Sequence, residues 1–188
     1  MRMIQQMISW LPQLLNGAKI TILLTLCAVS MGLLLSIFLA LGKMSRNKIL
    51  SGICSVYIFF FRGTPLLMQL YFIYFGLPQI NMALTINSRF FAAFLAFSLN
   101  SAAYCSEFIR AAIQSIDRGQ FEASKALGLS KTQTMRLVIF PQSIRRLVPS
   151  VANEFIMVLK DASLVSIIAL ADLTKVTRAI SSSTGTAM

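Results

Sequence analysis

The chain has 188 residues, 56% of them hydrophobic and 12% charged, whereas ordinary soluble domains carry about 45–50% apolar and about 25% charged residues. Both shifts point away from a water-soluble globule and toward a single domain in a lipid bilayer. The net charge of +11 comes from 17 basic and 6 acidic residues. The basic residues are scattered between long apolar runs, which reads as membrane topology, and no nucleic-acid partner is expected.

The N-terminal stretch MRMIQQMISWLPQLLNG is too polar for the apolar core of a secretory signal. Its Trp10, Leu11, Leu14 and Leu15 suit a short amphipathic lead-in lying along the bilayer surface. Residues 20–41 contain no charge, and about 20 apolar residues suffice to cross a bilayer. A first span is therefore expected at about 18–42, followed by a short basic loop with Lys43, Arg46 and Lys48. The next apolar region, 49–77, is interrupted by RGTP at 62–65. Pro65 removes a backbone donor and disfavours helix at Thr64, so this span should be kinked or broken. LPQINMALTINS then reads as a loop.

A third span is expected at 90–113. Its Asn100, Tyr104 and Glu107 share one helical face, which must point into protein or a watery cavity. From 114 to 146 the chain turns hydrophilic, with Arg118, Lys125, Lys131, Arg136, Arg145 and Arg146. Within it a helix is expected at 120–127, stopped by Gly128. A second should run over 131–138 and end before Pro141. A solvated hairpin and a docking surface both fit that pattern. The fourth apolar region, 147–171, leads into the polar DLTKVTRAISSSTGTAM. The basic connections 42–48 and 114–146 belong in the cytoplasm. The N-terminus, the 77–88 loop and residues from 172 onward then lie outside, where Lys175 and Arg178 fit the charge rule poorly.

Histidine is absent, which removes the commonest general base and metal ligand. Cys27, Cys54 and Cys105 stand apart among apolar neighbours, as buried thiols do, and form no metal or disulfide pattern. No cofactor is expected. GLSKT at 128–132 lacks the GxxxxGK(S/T) spacing of a phosphate loop and reads as a helix stop and restart. No nucleophile–base pair stands at a readable spacing, and a membrane enzyme finds no support.

GQFEASKALG followed by IFPQ resembles the EAA loop of ABC-transporter membrane subunits. Glu122, Ala123, Gly128 and Pro141 fill its key positions, and Ser124 replaces the usual second alanine. RGTPLLMQLYFIYFGLP, SAAYCSEFIRAAIQSIDRGQ, NEFIMVLKDASLVSI and the N-terminal LLNGAKITILLTL are similar to the branch that takes up polar amino acids. The resemblance covers nearly the whole chain, in order. It implies an all-α polytopic permease of the type I importer fold, with about four spans and one cytoplasmic coupling loop. In such proteins a coupling helix, here carrying Gly119, Glu122, Ala123 and Gly128, docks on a separate ATP-binding subunit. Two permease subunits, identical or mixed, form the path, and an extracytoplasmic binding protein delivers the substrate. The location implied is the bacterial inner membrane. Members usually carry a further span beyond the point where this sequence ends at Met188. The same machinery moving another polar solute, such as a peptide or an opine-like compound, is the alternative. A standalone channel or secondary transporter is a second one, against which the docking-type loop argues.

The stretch EFIMVLKDASL at 154–164 places Glu154, Lys160 and Asp161 in the last apolar region, with Lys160 and Asp161 near its midpoint. Charges at that depth mark either substrate sites or structural pairs. As structural glue, Glu154 and Lys160 would bridge to Arg62, Glu107 or Arg110. As a site, Lys160 would hold an α-carboxylate, while Asp161 or Glu154 would hold an ammonium or a cationic side chain. Asn100, Ser163 and Gln69 would add neutral contacts. Two acids against one base lean toward a basic amino acid. For Arg62, capping of the break at Pro65 or pairing with Glu107 is preferred over binding a carboxylate.

Overall fold

A computed structural model describes residues 2–184. Among them every regular element is helical. Helix α1 (Arg2–Lys43) is one unbroken rod of 42 residues, roughly 63 Å at 1.5 Å per residue. The expected surface lead-in is therefore continuous with the first span, with Pro12 inside the helix. The part from Ile8 to Lys43 is long and apolar enough to cross a membrane. Helix α2 (Lys48–Gly63) starts at Asn47, whose side chain accepts from the Ile49 and Leu50 amides, a favoured cap.

The break falls where Pro65 predicts it. α2 ends at Gly63, Thr64 and Pro65 are extended, and α3 (Leu66–Tyr71) begins at once. The two arms meet at 103°. A π-helical turn (Phe72–Gly76), the short α4 (Leu77–Ile80) and a 3-10 turn (Met82–Leu84) complete this arm. The stretch expected as a plain loop thus holds two short helical turns. Its Asn81 and Thr85 side chains supply local hydrogen bonds that a charge-free run did not advertise.

Helix α5 (Arg89–Gln114) crosses α1 closely. Ala92, Ala93, Ala96, Ala102 and Ala103 are buried along it. A Cβ on Gly32 of α1 would come within 2.9 Å of the Ser101 Cβ. Small residues let helix backbones approach where lipid offers no hydrophobic drive. The core continues through Leu24, Leu70, Ile73, Phe97, Val158 and Val165. Large apolar side chains point outward instead, including Phe59 at 81% and Phe38 at 74% exposure. An outward apolar belt of this kind needs lipid or another subunit against it.

After α5 come α6 (Arg118–Ala126), α7 (Lys131–Gln133), a π stretch (Thr134–Ile139) and α8 (Phe140–Asp161). The second loop helix does not stop before Pro141. The π turn resets the hydrogen-bond register just ahead of it, and the missing N–H falls in the first turn of α8, where a proline is tolerated. The fourth apolar region is not one helix either. α8 ends at Asp161 and a 3-10 segment (Ala162–Ile168) follows, closed by Ala169 at φ 59°. The Ala169 carbonyl accepts from Lys175 Nζ at 2.8 Å and Arg89 Nη1 at 3.4 Å. Lys175, a misfit by the charge rule, thus satisfies a tight turn. Helix α9 (Leu173–Thr184) returns against α1, where the Leu173 amide donates to Thr21 Oγ1 at 3.2 Å.

These contacts sort the connections to two ends. Residues 89, 169 and 173 gather beside Thr21. The basic connections lie at the other end, where Lys43 meets Glu107 and Arg146 donates to the Ser115 carbonyl.

Candidate functional site

The break in α2–α3 frees carbonyls that have no helical partner. Thr64 Oγ1 donates to the Phe60 carbonyl at 2.8 Å. Gln69 Nε2 donates to the Phe61 carbonyl at 2.9 Å, the Thr64 carbonyl at 3.1 Å and Thr64 Oγ1 at 2.7 Å. From α5, Asn100 Nδ2 donates to the same Phe61 carbonyl and to Gln69 Oε1, both at 3.0 Å. Gln69 is buried and spends its amide on the break. It does not line the cavity that Asn100 reaches.

That cavity, of about 430 Å³, lies between the break, α5 and α8. Its walls carry Arg62, Asn100, Tyr104, Glu154, Met157 and Asp161, with Thr64 and Leu67 from the break. The size suits a small polar solute. Glu154 is buried at 3% exposure, with the Ser101 hydroxyl and Asp161 beside it. The seven-residue spacing does bring both acids to one face. Ser101 is in turn the residue that Gly32 presses against at the tight α1–α5 crossing.

Lys160 and Ser163 go elsewhere. They border a separate cavity of about 330 Å³ together with Thr21 and Asp172. Successive helical residues diverge by about 100°, which turns Lys160 away from Asp161. The 3-10 winding from Ala162 then carries Ser163 to the same side as Lys160. Asp172 is buried, and its carboxylate accepts from the Thr174 and Lys175 amides, capping α9.

Arg62, Glu107 and Arg110 do not bridge to Glu154 or Lys160. Glu107 Oε1 takes Lys43 Nζ at 2.7 Å. Its Oε2 takes Arg110 Nη2 at 2.7 Å and Nε at 3.1 Å, with Arg62 Nη1 at 3.9 Å. Lys43 was absent from the sequence-based partner set. The signal for it is its place as the last residue of α1.

The hairpin at the basic end is built for exposure. Asp117 Oδ1 accepts from the Gly119 amide at 2.6 Å, and a Cβ on Gly119 would sit 2.9 Å from that oxygen. α6 then exposes Phe121, Glu122 and Ala123, with Leu127 exposed just beyond its end, and buries only Ser124, at 2%. The small Ser124 lets α6 lie close on the π stretch, and its hydroxyl is satisfied by the Gln120 carbonyl at 2.7 Å. Gly128, at φ +76°, ends α6. Its amide donates to Lys125 and that of Leu129 to Ser124, the double bond pattern of a glycine-terminated helix.

Comparison with known proteins agrees with this architecture. Residues 32–186 match the family model for binding-protein-dependent transport system inner membrane components. The chain is 42% identical over 162 residues to the arginine transport system permease protein ArtQ of Bacillus subtilis, covering 86% of this chain and 73% of that protein. It is 42% identical over 165 residues to the L-cystine transport system permease protein TcyB of the same organism, covering 88% and 69%. A crystal structure of an amino acid ABC transporter with histidines superposes with a TM-score of 0.89 at 44% identity, covering 95% of this chain and 82% of that one. The chain therefore belongs to the binding-protein-dependent transport system inner membrane component family. It is an amino-acid ABC-transporter permease subunit, a transport component and not an enzyme.

Proposed function

We propose that the chain forms half of the membrane path of an ATP-driven importer that brings basic amino acids across the bacterial inner membrane. The observation that carries this reading is the pair Glu154 and Asp161 facing one cavity with Asn100. Two carboxylates receive two cationic groups, the α-ammonium and a cationic side chain, by charge-assisted hydrogen bonds. Similarity to an arginine system supports the reading, while similarity to a cystine system leaves the side chain to experiment. Lys160 and Ser163 have no part in it, because they border another cavity.

In this reading the chain is multi-pass, with spans near 18–42, 49–77, 90–113 and 147–171, and the 114–146 hairpin faces the cytoplasm. Gly119, Glu122, Ala123 and Gly128 shape or present the helix that meets an ATP-binding subunit, and the exposure of α6 supports that role. A second permease subunit completes the path, and an extracytoplasmic amino-acid-binding protein delivers the substrate.

The test is radiolabelled uptake into proteoliposomes holding the whole complex, with a panel of unlabelled amino acids as competitors. Arginine and lysine should compete, glutamine and glutamate should not, and uptake should stop without ATP. Equal competition by neutral amino acids would sink the basic-substrate reading. Uptake that survives ATP removal would point to a standalone channel or secondary transporter.

A further inference from the structure

Arg62 is the cation whose structural roles are already filled by other residues. It is the last residue but one of α2, directly before the break. Capping of that break falls to Gln69, Asn100 and Thr64. Pairing with Glu107 falls to Lys43 and Arg110, each at 2.7 Å. Arg62 stands 3.9 Å from a carboxylate whose oxygens are both engaged, and Lys43 and Arg110 repel it there. Its guanidinium also lies 5.2 Å from the centre of the Tyr104 ring, within cation–π range, so the ring holds it beside the cavity that Tyr104 also lines. The side chain is 43% exposed. It borders the cavity of Glu154 and Asp161 and also an adjoining one of about 400 Å³ with Lys43, Ser55 and Phe59.

We propose that Arg62 receives the α-carboxylate of the transported amino acid, an inference that rests on reading the Glu154–Asp161 cavity as the amino-acid site. The charges match group for group. A basic amino acid carries two cations and one anion, and this cavity is lined by two carboxylates and one guanidinium. A guanidinium also presents the planar fork that a carboxylate accepts bidentately. Lys160, the other basic candidate, does not reach this cavity. Arg62 is thus a specificity-determining residue: it distinguishes an amino acid from the same molecule without its carboxylate. Since Arg62, Gly63 and Tyr104 border both cavities, a carboxylate held there sits at the partition between them.

The experiment uses the purified complex of permease and ATP-binding subunits, with no binding protein added, so that no upstream selection intervenes. Binding of radiolabelled L-arginine is competed with unlabelled L-arginine and with agmatine, its decarboxylated analogue. Wild type should prefer arginine by about 10-fold or more, the scale of one charge-assisted contact. R62Q should bring arginine down to the affinity of agmatine and leave agmatine unchanged. R62K keeps the charge but loses the fork, and should show an intermediate preference. A wild-type preference retained in either variant overturns the assignment. Should wild type bind a neutral amino acid and ignore arginine, the basic-substrate reading fails by itself. The same comparison, made with that amino acid and its decarboxylated amine, then still decides Arg62.

Discussion

Glu107 and Glu154 lie on neighbouring helices, yet their surroundings follow opposite rules. Glu107 is surrounded by Lys43, Arg110 and Arg62, so its charge is answered inside the chain. Glu154 is more deeply buried and has a serine and a second acid as its neighbours. A buried charge is tolerated when it is paired and hydrogen-bonded. Glu154 has no ion-pair partner among the described residues, although Arg62 borders the same cavity. In the reading proposed above, the contrast separates charge that holds helices together from charge that meets a substrate.

The largest effect should come from emptying the open pair. E154Q together with D161N is expected to lower uptake by more than about 100-fold, the product of two charge-assisted contacts, with no loss of thermal stability. Wild-type uptake by the double variant would erase the contrast. The opposite signature is expected at Glu107. E107Q leaves Lys43 and Arg110 facing a neutral amide and should destabilise the protein by about 2 kcal/mol, discounted from the buried-pair range because the cations are partly exposed. Thermal melts in detergent measure this, and an unchanged midpoint would show the cluster to be dispensable. Gln69 is the neutral reference beside both regions. Q69L strands the Thr64 carbonyl and should cost about 1–2 kcal/mol, while substrate preference stays as in wild type. A changed preference would return Gln69 to the binding site.

Much of this plan is legible in the residues themselves. Pro65 announces the broken span, Gly128 the end of α6, and the 100–104–107 spacing a polar face. Each rests on a local rule: a missing N–H, a left-handed backbone, a helical period. The pairing of Glu154 with Asp161 on one side of α8 follows from the same period. Lys160 was harder, because charge bookkeeping drew it toward Asp161 while the 3-10 segment after Asp161 settled where its neighbour Ser163 would lie. Gln69 reads as a free polar side chain until the carbonyls released five to eight residues earlier are counted. The π stretch ahead of Pro141 had no local mark. Within it Ile139 packs against Ile113 and Ile116, contacts between residues far apart in the chain.

Because that π stretch joins α7 to α8 without a loop, residues 131–161 form one continuous helical rod. Its lower part carries α6, through the buried Ser124 and the bond from Gln142 to Gln120, and its upper end is Asp161. From residue 139 to Asp161 the rod is roughly 33 Å long at 1.5 Å per residue. A tilt of about 5° imposed at the hairpin would swing the Asp161 carboxylate by roughly 3 Å on that radius, about the length of one hydrogen bond. Leverage of this kind would turn a small push on the hairpin into a contact made or broken at the Asp161 end of the rod.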